Sequence, residues 1–289
     1  MLITVITPSY NRAKLLPKVF ESLCKQTFCD FEWILVDDGS SDNTEDVVRD
    51  FDAAKVNLRY VKKTNGGKHT AINLGVKLAK GELIVPLDSD DSLPVDSLQT
   101  IAEEYAKVRG REEIGGVCGL MAHHGGRQIG SGFGRQTLET SEVELRHKHH
   151  VEGDLLEVFR TSVMMEFPFP EIVGEKFCPE QLAWFRIAQK YRLHCFNKVV
   201  YFRDYLDGGL TERIVRIRMN SPIASCMTYA EMLDYDIPFM QKVKAAINYW
   251  RFFCCSNNKE GMPRISKKWL ALALVGVAMH LKDRRKNKC

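Results

Sequence analysis

Residues 81–91 read Gly-Glu-Leu-Ile-Val-Pro-Leu-Asp-Ser-Asp-Asp. Its apolar run, Leu83–Leu87, predicts a short buried strand. Ligands of open α/β sheets bind outside the carboxyl ends of the strands, and here three carboxylates follow the strand within four residues, at Asp88, Asp90 and Asp91. Because close like charges repel unless a cation lies between them, the stretch predicts a site for Mn²⁺ or Mg²⁺. An acidic turn that only caps the following helix is the alternative.

The first 111 residues alternate between β-rich runs and segments with helical spacing of apolar residues. The β-rich runs start at Leu2, Phe31 and Leu58 as well as at Leu83, and each ends in polar or glycine-rich residues. This alternation predicts right-handed βαβ units and a mainly parallel sheet. We therefore predict an α/β fold in three parts: a doubly wound nucleotide-binding half over residues 1–111, a less regular half over 112–213, and a helical extension over 214–289.

Charge is distributed unevenly along the chain. The 289 residues are 45% hydrophobic and 27% charged, which is typical of a globular protein. The net charge is +4, and Lys267–Cys289 alone holds seven Lys/Arg and one Asp, or +6, which leaves about −2 for the remainder. The main body is therefore not expected to bind nucleic acid, whereas the tail is suited to an anionic partner.

The cysteines and the apolar runs bear on the compartment. Nine cysteines are scattered without a Cys-x-x-Cys pair, and no secretory signal precedes the first strand. These features predict a reducing cytoplasm. No apolar run reaches the roughly 18–20 residues that span a bilayer. The tail has about 13 mostly apolar residues between basic flanks, which predicts either a buried helix or attachment to an anionic membrane surface.

Two phosphate-binding motifs are excluded. The pair Gly67-Lys68 lacks the earlier glycine of a Walker A motif, since position 62 is Lys62, and no Gly-x-Gly-x-x-Gly follows the first strand. What remains at Lys68 and His69 is a helix start with positive charge, which predicts either an anion site or a plain loop-to-helix junction. Asp38 ends the second strand, either as part of a turn or as an acceptor of hydrogen bonds from a base or ribose.

Five segments in order over about 110 residues resemble the family 2 glycosyltransferases of the GT-A fold. This resemblance implies a nucleotide-sugar donor, a divalent cation and inversion at the anomeric carbon. It also implies that residues 112–213 face the acceptor. The matching segments are Ile6–Arg12, Gln26–Phe28, Val36–Asp42, Asn65–Gly75 and Asp88–Asp91.

The resemblance also implies roles for individual residues. Lys68 would face the donor, Asp88 would lie near the ribose, and Asp90 would bind the metal ion. The nucleotide pocket would contain Thr7, Pro8, Tyr10, Arg12 and Asp38.

A general base for the acceptor hydroxyl is expected in the acceptor-facing half. Relatives have an acidic pair before a helix, and here Glu180 is followed by Gln181, so the resemblance assigns the base to Glu180. Helix capping alone would also explain a glutamate in this first turn. The segment Tyr205–Thr211 resembles a mobile Gly-Gly-Leu-Thr flap over the donor. The alternative bases are Glu166, Glu171 and Asp154.

The sequence therefore predicts an inverting, metal-dependent glycosyltransferase that moves a sugar from a nucleotide donor, a UDP-sugar, to a hydroxyl of a glycan or lipid-linked glycan in cell-surface polysaccharide synthesis. Its expected location is the cytoplasm, peripheral at the inner face of the membrane. A sugar nucleotidyltransferase is disfavoured because the first loop, Pro8–Arg12, has no glycine. The remaining alternative is a scaffold that binds nucleotide sugars or a membrane without transfer.

Overall fold

An eight-stranded sheet lies in the larger of the two units into which the chain divides. The computed structural model describes residues 1–52, 54–203, 210–256 and 259–286. The first unit consists of Met1–Pro168 with Phe185–Asp204, and the second of Phe169–Trp184 with Tyr205–Cys289. The three-part division at residues 111 and 213 stays a prediction.

The sheet has the strand order β3-β2-β1-β4-β7-β5-β8-β6. Neighbouring strands among β1 to β4 pair in parallel, as the alternation of strands and helices predicts. The second part of the sheet is mixed, because β7 runs antiparallel to both β4 and β5, and β6 runs antiparallel to β8. The strands are β1 (Ile3–Ser9), β2 (Phe31–Asp37), β3 (Leu58–Lys62), β4 (Leu83–Pro86), β5 (Ile114–Ala122), β6 (Thr137–Thr140), β7 (Leu155–Arg160) and β8 (Arg192–Phe202).

Strand β8 corrects an expectation from the sequence. Residues 193–205 suggest two short strands, but the structure has one strand of 11 residues. It stays continuous because β5 pairs along one edge of it, with register shifts, and β6 pairs along the other.

Helices cover the sheet of the first unit. Leu16, Val19 and Leu23 are buried on α1, as their helical spacing predicts. Gly75 in α3 lies close to β1, and a Cβ atom at this position would be 2.6 Å from the Ile6 side chain. This contact fixes α3 against the strand. The helices are α1 (Leu16–Cys24), α2 (Thr44–Arg49), α3 (Lys68–Leu78), α4 (Ser97–Ala106), α5 (Glu142–His147) and α6 (Thr161–Glu166), with α7 (Glu180–Ile187) crossing the boundary between the units.

The second unit is helical, as predicted for the end of the chain. It contains α8 (Leu210–Asn220), α9 (Pro222–Met232), α10 (Phe239–Phe253), a 3-10 helix (Lys267–Leu272) and α11 (Ala273–Lys286). Its small core is formed by Cys226, Ala230, Tyr249 and Phe252. None of the helices within the described ranges has the length and apolar character that crossing a bilayer requires.

Candidate active site

Three aspartates converge at the carboxyl end of β4. The N–H of Leu87 donates a 2.9 Å hydrogen bond to the Ile6 carbonyl of β1, which fixes where the acidic turn begins. Carboxylate oxygens of Asp88, Asp90 and Asp91 lie within 4.8 Å of one another. The structure thus brings together the three carboxylates from which the cation site is predicted, including Asp91, to which the sequence gives no individual role. We call these three residues the acidic cluster.

Asp91 is the buried member of the acidic cluster, with 3% of its surface exposed. Burial, together with the charges of Asp88 and Asp90, raises the pKa of Asp91 to about 7, against an opposing effect of its hydrogen bond with Tyr201. The Tyr201 hydroxyl donates to Oδ2 of Asp91 at 2.9 Å and accepts from the Asp88 N–H at 2.9 Å. Burial and the two neighbouring carboxylates thus disfavour the charged form of Asp91.

Asp88 forms an ion pair with Lys68, in which Nζ lies 2.6 Å from Oδ1. Burial alone would raise the pKa of Asp88, but the positive charge of Lys68, followed by Arg203 and Arg12, lowers it. Lys68 is the first residue of α3, so its side chain and the helix N-terminus both present positive charge beside the cluster. Such an arrangement suits the phosphates of a ligand.

Asp90, which like Asp88 is partly exposed, is the member of the cluster predicted to bind the metal ion. Within the ranges that the structure describes, no hydrogen bond or ion pair engages its carboxylate. Hard oxygen donors at this spacing fit Mg²⁺ or Mn²⁺, which take one or two carboxylates and complete their coordination with water and phosphate. The residues present therefore fit the predicted cation.

Asp38 organises the loop before α3. Its Oδ1 accepts hydrogen bonds from Lys63 Nζ at 2.8 Å and from Gly66 N–H at 2.9 Å, and its Oδ2 accepts one from Gly67 N–H at 2.7 Å. Gly67 has φ 96°, which only glycine adopts without strain. Because a carboxylate has about four acceptor positions, Asp38 keeps little capacity for a base or ribose, and its clearest role here is to hold this loop.

The residues predicted in the first loop have different environments. Thr7 and Pro8 are buried in β1, and Thr7 Oγ1 accepts a 2.9 Å hydrogen bond from Trp33 Nε1. Tyr10 is 50% exposed, and half-buried Arg12 contributes positive charge to Asp88. Tyr10 and Arg12 are thus the members of this group whose side chains a nucleotide can reach.

Asn11 fastens the loop after β1 to the loop after β2. Its N–H donates to Ser40 Oγ at 2.9 Å, and its Oδ1 accepts from the Ser41 N–H at 2.8 Å. Since β1, β2 and β4 are parallel, their carboxyl ends share one edge of the sheet. The first loop, Asp38 and the acidic cluster therefore belong to the same edge.

The candidate bases occupy separate places. Glu180 belongs to the second unit, where it is the exposed first residue of α7, and Glu171 is also exposed there. Exposed Glu166 accepts from Lys190 Nζ at 2.6 Å and from the Tyr191 hydroxyl at 2.9 Å. Asp154 accepts from Arg203 at 2.8 Å. The assignment of the base to Glu180 stays a prediction, and the flap predicted at residues 205–211 lies outside the described residues, apart from the helical backbone of Leu210 and Thr211.

Several residues at this edge were missed from the sequence. Tyr201 and Arg203 come from the end of β8, and Lys63 comes from the end of β3. Burial opposes the charged form of Arg203, but Asp154, Asp91 and Asp88 raise its pKa. None of these residues follows a motif, and the pairing of the strands brings Tyr201 and Arg203 to the acidic cluster and Lys63 to Asp38.

The amino-terminal part of the chain is similar to known glycosyltransferases. Residues 4–119 match the model of glycosyl transferase family 2. Glycosyltransferase GlyG of Streptococcus pneumoniae is 38% identical over 104 residues, which cover 36% of this chain and 35% of the relative. The chain thus spans about a third of that relative's length. A Campylobacter jejuni GalNAc(5)-diNAcBac-PP-undecaprenol beta-1,3-glucosyltransferase is 29% identical over 219 residues, covering 72% of this chain and 67% of the relative.

A solved structure extends the likeness to the fold. S. aureus TarS 1–349, in complex with UDP-GlcNAc, superposes with a TM-score of 0.63 and 20% identity, covering 98% of this chain and 81% of the TarS 1–349 chain. At this identity the match concerns the fold alone, and it confirms the GT-A architecture that the sequence predicts. The match over residues 4–119, which contains the whole acidic cluster, shows that this part of the chain belongs to glycosyl transferase family 2.

Proposed function

We propose that this chain transfers a sugar from a UDP-sugar to a hydroxyl acceptor with inversion at the anomeric carbon. The observation that carries the proposal is the acidic cluster at the end of β4, with Lys68 Nζ 2.6 Å from Asp88. A nucleoside diphosphate requires carboxylates that bind a cation and, beside them, positive charge that binds its phosphates.

Asp90, with Asp88 and Asp91, would hold Mn²⁺ or Mg²⁺. When bound, such an ion neutralises the negative charge that grows on the diphosphate leaving group. Lys68 acts on the same charge from the start of α3, and the loop held by Asp38 sets where that helix begins. Tyr201 keeps Asp88 and Asp91 in place through its two hydrogen bonds.

Inverting transfer also requires a base that removes the acceptor proton as the acceptor oxygen attacks the anomeric carbon from the side opposite the leaving group. Glu180 is the proposed base, on the resemblance described above. Asp154 is the competing residue that the structure supports best, because Arg203 links it to the charges of the acidic cluster.

The donor and acceptor are proposed from the relatives. TarS is complexed with UDP-GlcNAc, which supports a UDP-sugar donor. The C. jejuni relative is named for a polyprenol-linked glycan, which supports a lipid-linked glycan acceptor in cell-surface polysaccharide synthesis. A cytoplasmic location at the inner membrane face fits such an acceptor, and the eight cysteines of the described residues are free thiols, which favours a reducing compartment.

A donor-hydrolysis screen tests the proposal. The chain is incubated with a panel of UDP- and GDP-sugars and Mn²⁺, and free nucleoside diphosphate is measured. We expect nucleoside diphosphate from one UDP-sugar, and loss of this release in Asp90→Asn. A nucleotidyltransferase would release no nucleoside diphosphate in this screen, but would release pyrophosphate when a nucleoside triphosphate and a sugar 1-phosphate are supplied instead. A scaffold would bind the nucleotide and release nothing, which would overturn the proposal.

A further inference from the structure

The last two helices of the second unit expose an apolar surface. Leu274, Val277 and Leu281 share one face of α11, and Leu270 precedes them in the 3-10 helix. Leu274 is 82% exposed, Leu270 58% and Leu281 50%. Large side chains repeated along one face in this way are unusual for a protein surface.

The opposite face of α11 carries small and polar residues, and this is the face that packs. Gly276 lies against α10, where a Cβ atom would be 2.5 Å from Trp250 Cβ. His280 Nδ1 lies 3.4 Å from Cys255 Sγ. Asp283 accepts two hydrogen bonds from Arg251, at 2.5 and 2.9 Å. The helix therefore buries its polar side and turns its leucines outward, the reverse of an ordinary surface helix.

The apolar surface continues onto the start of α10. Phe239 is 69% exposed and Met240 62%. The Phe239 ring stacks on that of Trp269, with centroids 6.0 Å apart. Trp269 immediately precedes Leu270, so this ring contact brings the start of α10 to the 3-10 helix, and we group the exposed apolar side chains of these helices together. We call this group the apolar patch: Phe239, Met240, Leu270, Leu274, Val277 and Leu281.

Exposed cations flank the apolar patch at both ends. Their one acidic neighbour in this segment, Asp283, is buried and paired with Arg251. Because the Asp283 charge is paired in the interior, the exposed surface of the 3-10 helix and α11 is strongly positive. The cations are Lys267, Lys268, Lys282, Arg284, Arg285 and Lys286.

We propose that the apolar patch lies in the interfacial layer of an anionic membrane, with α11 parallel to the surface and the flanking cations on lipid phosphates. Apolar side chains between basic residues are the pattern of helices that lie in this layer. With 14 residues, α11 is about 21 Å long, less than the roughly 30 Å of a bilayer core. A second copy of this chain is less suited to cover the apolar patch, because a two-fold contact would bring the flanking cations of the two copies together.

Co-sedimentation of the full chain with vesicles tests the proposal. Vesicles of phosphatidylglycerol with phosphatidylcholine are compared with phosphatidylcholine alone, at low and high salt. We expect binding to the anionic vesicles that weakens with salt. Leu274→Glu combined with Leu281→Glu should reduce this binding by about tenfold or more. Val173→Glu, at an apolar residue that is fully exposed outside the patch, should leave it unchanged.

Circular dichroism and UDP binding report whether each variant is folded. If the double glutamate variant is unfolded, Lys267→Glu with Lys268→Glu tests the same surface at exposed positions. Equal vesicle binding by the patch variants and by Val173→Glu would overturn the proposal. The proposal would also be overturned if the unchanged chain did not bind anionic vesicles but self-associated through Leu274. These outcomes are independent of donor hydrolysis, so this inference and the proposed function can fail separately.

Discussion

The Tyr201 hydroxyl donates a 2.9 Å hydrogen bond to Oδ2 of Asp91, a residue 110 positions earlier in the chain. The same oxygen accepts a hydrogen bond from the Asp88 N–H. A single buried phenol thus joins two of the three aspartates of the acidic cluster. The shape of the cluster depends on β8 as well as on β4.

Replacing Tyr201 by phenylalanine should destabilise the fold. Tyr201→Phe keeps the ring but leaves the Asp88 N–H and Asp91 without this partner, at a cost of about 1–3 kcal/mol. Urea unfolding in EDTA measures the change in the free energy of unfolding. Tyr191→Phe is the matched control, because its hydroxyl bonds to exposed Glu166, and we expect a change within about 0.5 kcal/mol. Equal effects of the two variants would show that the Tyr201 hydroxyl does not hold the cluster.

Asp91 should make stability depend on pH in the metal-free chain. Burial and the neighbouring carboxylates raise the pKa of Asp91 to about 7, above roughly 3.9 in an unfolded chain. Between these values the folded chain keeps a proton that the unfolded chain has lost, so stability falls as the pH rises from about 4 to about 7. Asn at this position does not titrate.

We therefore expect the free energy of unfolding of the unchanged chain, minus that of Asp91→Asn, to decrease across this pH range and to level off above it. Urea unfolding at several pH values in EDTA gives both free energies. A difference that stays constant with pH would contradict the raised pKa.

Asp90→Asn should weaken metal-dependent nucleotide binding and nearly abolish transfer. The substitution removes the charge of a carboxylate that no hydrogen bond or ion pair engages within the described residues. It barely changes the size of the side chain. Titration calorimetry of UDP with and without Mn²⁺ measures the effect. Asp96→Asn removes an exposed carboxylate from the start of α4 and serves as control. Unchanged Mn²⁺-dependent affinity in Asp90→Asn would rule out its role as a ligand.

The sequence predicts the edge of the sheet where the site lies, because parallel strands end together. Asp38, Asp88 and Asp90 each follow a strand with a clear apolar pattern, so their convergence can be inferred without coordinates. Tyr201 cannot be inferred in this way. In the sheet, its strand β8 is separated from β4 by β7 and β5. Two of the three pairings between them are antiparallel and the third has register shifts. No local pattern in residues 193–205 predicts this arrangement.

The apolar patch shows a second limit. The tail is apolar nearly all round, so its periodicity cannot tell which face packs. In the structure α11 packs against α10 through Gly276, His280 and Asp283, and attachment of its other face to a membrane stays a proposal. The ion pair of Asp283 with Arg251 decides the orientation, and this partner lies 32 residues away.

Asp38→Asn should loosen the loop before α3 and weaken UDP binding. The amide keeps the size of the side chain, but it loses the charge that faces Lys63 and places a donor group against Gly66 or Gly67. Hydrogen bonds to charged groups contribute about 1.5–3 kcal/mol, so we expect a loss of stability of this order together with weaker UDP affinity. Thermal unfolding and calorimetry measure the two effects. Asp50→Asn, at an exposed site after α2, is the control; if it matches Asp38→Asn in both measurements, Asp38 does not organise the loop.

The identity of the base can be decided by comparing Glu180→Gln with Asp154→Asn. Each substitution keeps the shape of the side chain and removes its ability to accept a proton, so the base variant should lose about 10²–10⁴ in transfer rate while UDP binding is retained. We expect this loss for Glu180→Gln.

Asp154→Asn also breaks the ion pair with Arg203, so it should change UDP affinity through the charges near Asp88 and Asp91. Glu166→Gln, whose parent side chain is held by Lys190 at 2.6 Å, is the control and should transfer normally. Initial rates at saturating donor, with UDP affinity measured in parallel, separate the cases. Near-normal transfer by Glu180→Gln, with a loss in Asp154→Asn that exceeds its change in affinity, would move the role of base to Asp154.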